Sequence, residues 1–133
     1  MAENNGNMKA VGRTGEDLAA EYFNRLGWKV VERNYRCYAG EIDLICLDPT
    51  GEVDTLVFVE VKTRRGRQPV SALSAITQRK QIRLVAVALH YLGSRSADAP
   101  SGEEPQCRFD AVAVNLLPGN KPSIVHHRGA FTA

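Results

Sequence analysis

No apolar run in the chain approaches the roughly 18–20 residues that cross a bilayer as a helix, so nothing predicts a helical membrane span. The opening residues Met1-Ala2-Glu3-Asn4-Asn5-Gly6-Asn7 lack the basic and apolar regions of a secretory signal, and the expectation is a cytoplasmic protein with no membrane partner. Cysteine is scarce: Cys37, Cys46 and Cys107 are odd in number, widely spaced and contain no Cys-x-x-Cys pair. That pattern excludes a disulfide framework and a zinc ribbon, and it leaves Cys46 as a small apolar strand residue. Internal repeats are absent. Acidic residues are missing from one long interval. Between Glu60 and Asp98 the only charged residues are Lys62, Arg64, Arg65, Arg67, Arg79, Lys80, Arg83 and Arg95. A basic stretch of this kind is either a solvated face or a surface for a polyanion.

What is present fits one soluble α/β domain with a core of its own, since 133 residues suffice for one hydrophobic centre. Residues 1–12 are polar and contain glycine, which predicts a flexible arm ahead of a single domain at 13–133. Thr14 and Asp17 resemble a capping box, and a helix is predicted from there to about Leu26, where Gly27 stops it. Ala19, Phe23 and Leu26 form its apolar stripe, and Glu16 continues that stripe one turn earlier. Glu16 is then a contact of the helix N-terminus or, alternatively, a carboxylate of a site. Strands are predicted at 28–35, 40–47, 55–64, 108–115 and about 124–127. A long helix is predicted from about Ser71 to Leu92, its stripe Leu73, Ile76, Leu84, Val87 and Tyr91 interrupted by Lys80. Such a lysine either snorkels or reaches a phosphate or an acidic cluster. The polar segment 94–106 is predicted to be a disordered loop. The order α-β-β-β-α-β-β implies a central mixed five-stranded sheet flanked by helices, with the long helix as the crossover to a strand parallel to the third.

The chemistry concentrates in two strands. Gly40-Glu41-Ile42-Asp43-Leu44-Ile45 and Val57-Phe58-Val59-Glu60-Val61-Lys62 both alternate with strand period. Asp48-Pro49-Thr50-Gly51-Glu52 lies between them as a turn. A hairpin centred on Gly51 and Glu52 sets Asp43 opposite Glu60 and Glu41 opposite Lys62. Repelling, half-buried carboxylates are costly unless a cation joins them. Asp43 and Glu60, with Glu16 if the first helix packs nearby, therefore suit Mg²⁺ or Mn²⁺. Lys62 shares the face of Glu60 and can orient water or stabilise charge on a phosphate. The bland alternative is a cross-strand ladder pairing Glu41 with Lys62 and Asp43 with an arginine, worth about 0–1 kcal/mol.

An Asp followed on the next strand by Glu-x-Lys, with a helical Glu before both, resembles the PD-(D/E)XK nuclease superfamily and its restriction-endonuclease-like fold. Within it the chain is similar to the YraN family of uncharacterised bacterial proteins. The similarity runs from about Gly12 to Phe131 through Gly15-Glu16-Asp17-Leu18-Ala19-Ala20, Arg33-Asn34-Tyr35-Arg36, the two strand motifs, Arg108-Phe109-Asp110, His126 and Ala130-Phe131. Ile42 stands where the superfamily's proline would precede the aspartate. The resemblance implies Asp43 and Glu60 as ligands and catalytic acids, Lys62 as the catalytic lysine and Glu16 as an accessory acid. It also implies kinship with archaeal Holliday-junction resolvases, hence a branched or structured DNA substrate, DNA rather than RNA, and leaves homodimerisation open. Arg33, Arg36, Arg64, Arg65, Lys80 and Arg108 are the phosphate-binding candidates. Asn34 is read either as a phosphate contact or as a turn former, and His126 and His127, pointing to opposite faces, as packing residues. The leading expectation is a metal-dependent endonuclease acting on DNA. The alternatives are a non-catalytic nucleic-acid-binding module on the same fold and a protein-interaction adaptor.

Overall fold

The computed structural model describes residues 3–65, 76–95, 105–117 and 119–132, with side chains from residue 14 onward. Its elements are α1 (Glu3–Arg25), β1 (Lys29–Cys37), β2 (Gly40–Asp48), β3 (Thr55–Arg65), α2 (Gln78–Arg95), β4 (Gln106–Leu116) and β5 (Ser123–Phe131). The order is the one expected. Two helix starts differ. Helix α1 begins at Glu3, so the segment expected as an arm is helical from residue 3: no proline interrupts it, and extending a helix costs less than nucleating one. Helix α2 begins at Gln78, because Thr77 caps it by accepting the Lys80 N–H at 3.2 Å. Residues 71–75 of the expected helix, and most of the loop expected at 94–106, lie outside the described residues.

The sheet order is β1-β2-β3-β4-β5, with β3 and β4 parallel and the other neighbours antiparallel. The β2–β3 ladder runs from Asp48↔Thr55 to Leu44↔Val59, the register required by a turn at Gly51 and Glu52. One step further would bring Asp43 opposite Glu60, but no β2–β3 pair is formed there among the described residues. Beyond that point β2 stays paired with β1, and β3 stays paired with β4 as far as Arg65↔Leu116.

Each face of the sheet is covered by one helix. Leu44, Cys46, Val57, Val59, Val112 and Val114 pack with Ala19, Phe23 and Trp28 on the α1 side. Ile45, Leu56, Phe58, Phe109, Ala111 and Ala113 pack with Leu84, Val87, Ala88 and Tyr91 on the α2 side. Ile42 also belongs to the α2 side, although Leu44, two residues on, belongs to the other. The period-two alternation of β2 therefore slips at Asp43. On β1, Asn34, between the paired residues Arg33 and Tyr35, takes φ 55°, a left-handed conformation that asparagine tolerates better than most residues. Asn34 thus lies within β1 and forms no turn.

Two glycines set how closely the helices approach this place. A Cβ on Gly15 would overlap the side chain of Thr63, so only glycine lets α1 lie this tightly on β3. Gly40, at φ 142°, would carry a Cβ 3.1 Å from Arg83 Cδ, and so admits the first turns of α2 to the start of β2. Both exceptions to ordinary side-chain packing flank the same acidic residues.

Candidate metal centre

Where β2 and β3 part, three carboxylates converge. Glu16 comes from α1, and Glu41 and Asp43 come from β2. One oxygen of each lies within 4.8 Å of the others, and all three side chains are half-buried. The close seat of α1 on Thr63, made at Gly15, delivers Glu16. Glu41 and Asp43 meet on β2 where its alternation slips, between Ile42 and Leu44. Asp43 Oδ2 accepts the Val61 N–H at 2.7 Å, so its carboxylate occupies the opening left by the interrupted ladder. Burial pushes the Asp43 carboxyl up to about 7. The charge of Glu60 acts in the same direction, the Val61 hydrogen bond opposes it, and Glu16 and Glu41 add further repulsion.

The sequence-predicted trio of Glu16, Asp43 and Glu60 is thus rearranged. Glu60 lines the same cleft and is close enough to raise Asp43, but its Oε1 is held by Lys80 Nζ at 2.6 Å. Glu41 stands in the acidic triplet in its place. The pair expected between Glu41 and Lys62 is not formed: Glu41 Oε2 accepts Arg36 Nε at 2.7 Å, because the two residues are direct partners on β1 and β2 while β2 and β3 have diverged. Glu41 was legible as the acid two residues before Asp43 on the same strand. The charge of Lys62 drew it into a ladder that the fork in the sheet abolishes.

The cleft has a volume of about 230 Å³ and is lined by Gly40, Glu41, Asp43, Glu60, Lys80, Arg83 and Leu84. Acids form one wall and the first turns of α2 the other. Three carboxylates at this spacing, one of them resisting ionisation, match the hard oxygen donors that Mg²⁺ and Mn²⁺ take. Lys62 lies two residues past Glu60 on β3, opposite Ala113 of β4, and is half-buried; among the described residues it does not line the cleft.

The other basic candidates scatter. Arg33 is bound to Asp17 of α1 at 2.5 Å, and Arg36 to Glu41, both at the exposed β1 edge. Arg64 is half-buried and its Nε has no hydrogen-bond partner among the described residues, and Arg65 is exposed at the end of β3. Arg108 lies towards the opposite end of the sheet. It grips Asp110 through Nε at 2.8 Å and through a terminal nitrogen at 3.1 Å, and reaches Asp48 at 3.1 Å. Asp110 also accepts the Gly129 N–H and faces His126 Nε2 at 2.8 Å, while His126 Nδ1 meets the Tyr22 hydroxyl at 3.0 Å. Burial would raise Asp110, but the bonds from His126, Arg108 and Gly129 hold its carboxyl below the usual range. His126 sits edge-on to Phe23 and Trp28, which is the packing role expected of it. Arg108 therefore serves an internal network, whereas Lys80 and Arg83 face the acids.

Among the described residues, no helix is long and apolar enough to cross a membrane. A family model described as "Uncharacterised protein family UPF0102" matches residues 15–114, a span that includes all three acids and α2. A UPF0102 protein of Rhodococcus jostii is 44% identical over 123 residues, covering 92% of this chain and 96% of its own. One from Nocardia farcinica is 40% identical over 126 residues, covering 95% and 92%. One from Geobacter sulfurreducens is 37% identical over 131 residues, covering 98% and 95%.

Proposed function

The chain belongs to the uncharacterised protein family UPF0102, the YraN family anticipated from its motifs, and we propose that it is a metal-dependent endonuclease acting on DNA. The observation that carries this is the convergence of Glu16, Glu41 and Asp43, the last two lining a cleft that Lys80 and Arg83 also line. A Mg²⁺ or Mn²⁺ ion held by the three acids would polarise a phosphodiester and activate a water for its hydrolysis. The protein's own groups supply the rest. Arg83 and Lys80 attract the phosphate and orient it against the acidic wall. Lys62, from its position beyond Glu60, stabilises negative charge as it develops. The succession of Glu16 on α1, Asp43 on β2 and Glu60 with Lys62 on β3 supports placing the chain in the PD-(D/E)XK superfamily, with a restriction-endonuclease-like fold and structured or branched DNA as substrate.

The test is cleavage of linear, flapped and four-way DNA with Mg²⁺ or Mn²⁺. Activity should appear with metal and fall by about 10²-fold or more in Asp43→Asn and in Lys62→Ala, in line with the weight of a single electrostatic group at a reacting centre. DNA left uncut across the whole panel with either metal would end the catalytic claim. A non-catalytic DNA-binding module is the second reading, favoured by the engagement of Glu60 with Lys80 and by a cleft lining that, among the described residues, does not include Lys62. It predicts salt-dependent DNA binding that survives Asp43→Asn.

A further inference from the structure

Lys80 is the third residue of α2, in a first turn that contains Arg79 and no acid. Positive charge at a helix N-terminus opposes the helix dipole, so helix formation does not account for a lysine there. Its direction does have a consequence. Lys80 shares a helical stripe with Leu84, Val87 and Tyr91, all buried against the sheet, so its stem is aimed inward. The side chain is 34% exposed and reaches a Glu60 that is only 11% exposed, at 2.6 Å. Glu60 is thereby ion-paired while it stands beside the acidic group that Glu16, Glu41 and Asp43 form, near enough for its charge to raise Asp43.

Resting on the metal-centre reading above, we infer that Lys80 is an internal cation that competes with the divalent metal for Glu60 and exchanges Glu60 for a substrate phosphate. Glu60 is then a ligand held in reserve. With no polyanion in the cleft, the ammonium neutralises Glu60, and the centre has three carboxylates. A phosphate entering between the acidic wall and α2 offers Lys80 a second anionic partner, and Glu60 is released to the metal. Arg83, whose stem lies over Gly40 on the same wall, is placed to take the phosphate alongside it. No backbone movement is required: rotation within the lysine side chain suffices. Metal and DNA then bind with positive coupling, and the coupling passes through one side chain.

The experiment is Mn²⁺ titration by calorimetry or electron paramagnetic resonance, with and without a nuclease-resistant phosphorothioate duplex. The proteins are the full chain and its Lys80→Met, Glu60→Gln, Lys80→Met/Glu60→Gln and Asp43→Asn variants, each checked for native circular dichroism. Methionine keeps the apolar stem of Lys80, and Glu60→Gln gives a second route should Lys80→Met not fold. Lys80→Met should bind Mn²⁺ at least about five-fold more tightly than wild type, the lower end of ordinary coupling between sites. The gain should vanish in the double variant. The duplex should tighten Mn²⁺ binding in wild type and leave it unchanged in Lys80→Met and in Glu60→Gln. Equal Mn²⁺ affinity of folded Lys80→Met and wild type, with Asp43→Asn weakened, would overturn the role of Lys80 and leave the metal centre standing. If Mn²⁺ binding were absent from both, or indifferent to Asp43→Asn, the metal centre and the inference would fall together.

Discussion

Asp43 is a carboxyl that the fold prefers to keep protonated, because burial and three neighbouring acids outweigh its bond from Val61. With its folded value raised to about 7, its contribution to stability is fully present below its ordinary value and is lost as pH rises through about 7. Cation-free protein should therefore show a falling urea midpoint between about pH 4 and 7, and Asp43→Asn should flatten that fall. A divalent cation binds the ionised form, so Mn²⁺ should restore the midpoint at pH 8 and release protons on binding near pH 7. A midpoint indifferent to Asp43→Asn across this range would contradict the burial described. Asp110 has the opposite sign. Burial is outweighed by His126, Arg108 and Gly129, so its contribution is present above its ordinary value and disappears in acid. Truncation by Asp110→Ala leaves Arg108 and the Gly129 N–H without their partner, and should cost about 3–5 kcal/mol in urea unfolding.

Among the elements, α1 matters most for where it is allowed to lie. Gly15 costs roughly 1 kcal/mol of helix propensity relative to alanine. It is nevertheless the position at which α1 meets Thr63, and the next residue, Glu16, completes the acidic triplet. Gly15→Ala should lift this turn from β3 and destabilise the fold by about 1–3 kcal/mol, the overpacking penalty exceeding the propensity gain. Adding Thr63→Ala should recover part of the loss, and a double-mutant cycle measures the coupling. If Gly15→Ala proved stabilising, the tight helix–strand contact would be disproved. Both glycine and glutamate stand out in the sequence, but the link between them is steric and becomes visible only when β3 lies beneath the helix. Helix α2 teaches the converse. Lys80 was conspicuous as a charge in an apolar stripe, and the structure gives that charge a partner, Glu60, twenty positions earlier across the crossover.

For the whole molecule, the two ends of the sheet have different tasks. At one end the strands fork and four acids accumulate, of which Glu41 and Glu60 are ion-paired and Asp43 is left to burial and repulsion. At the other, Asp48, Arg108, Asp110, His126 and Tyr22 bind β2, β4, β5 and α1 into a network whose carboxylates are satisfied. Sequence reasoning assigned Arg108 to phosphate contact because it counts charges along the chain. Arg108 meets Asp48 sixty positions away, and no local pattern reports that pairing. In acid the two ends should respond with opposite sign: loss of the Asp110 network should lower global stability, while protonation at Asp43 should raise it and weaken metal binding. Urea unfolding and Mn²⁺ titration over the same pH series distinguish them.

The sequence by itself determined the element order, the hairpin register and the two faces of the sheet, because strand period and turn chemistry are local. It also marked Glu16, Asp43, Glu60 and Lys62 as the residues to watch. Only the tertiary structure decided which acids meet. The ladder stops at Leu44↔Val59, β2 turns with β1, and β3 stays with β4, so Glu41 moves to Arg36 and the acidic triplet while Glu60 moves to Lys80. A continuous ladder would have kept Glu41 beside Lys62. The fork removes that pairing because the strands follow different neighbours, and the choice of neighbour is made by the packing of the whole sheet between α1 and α2.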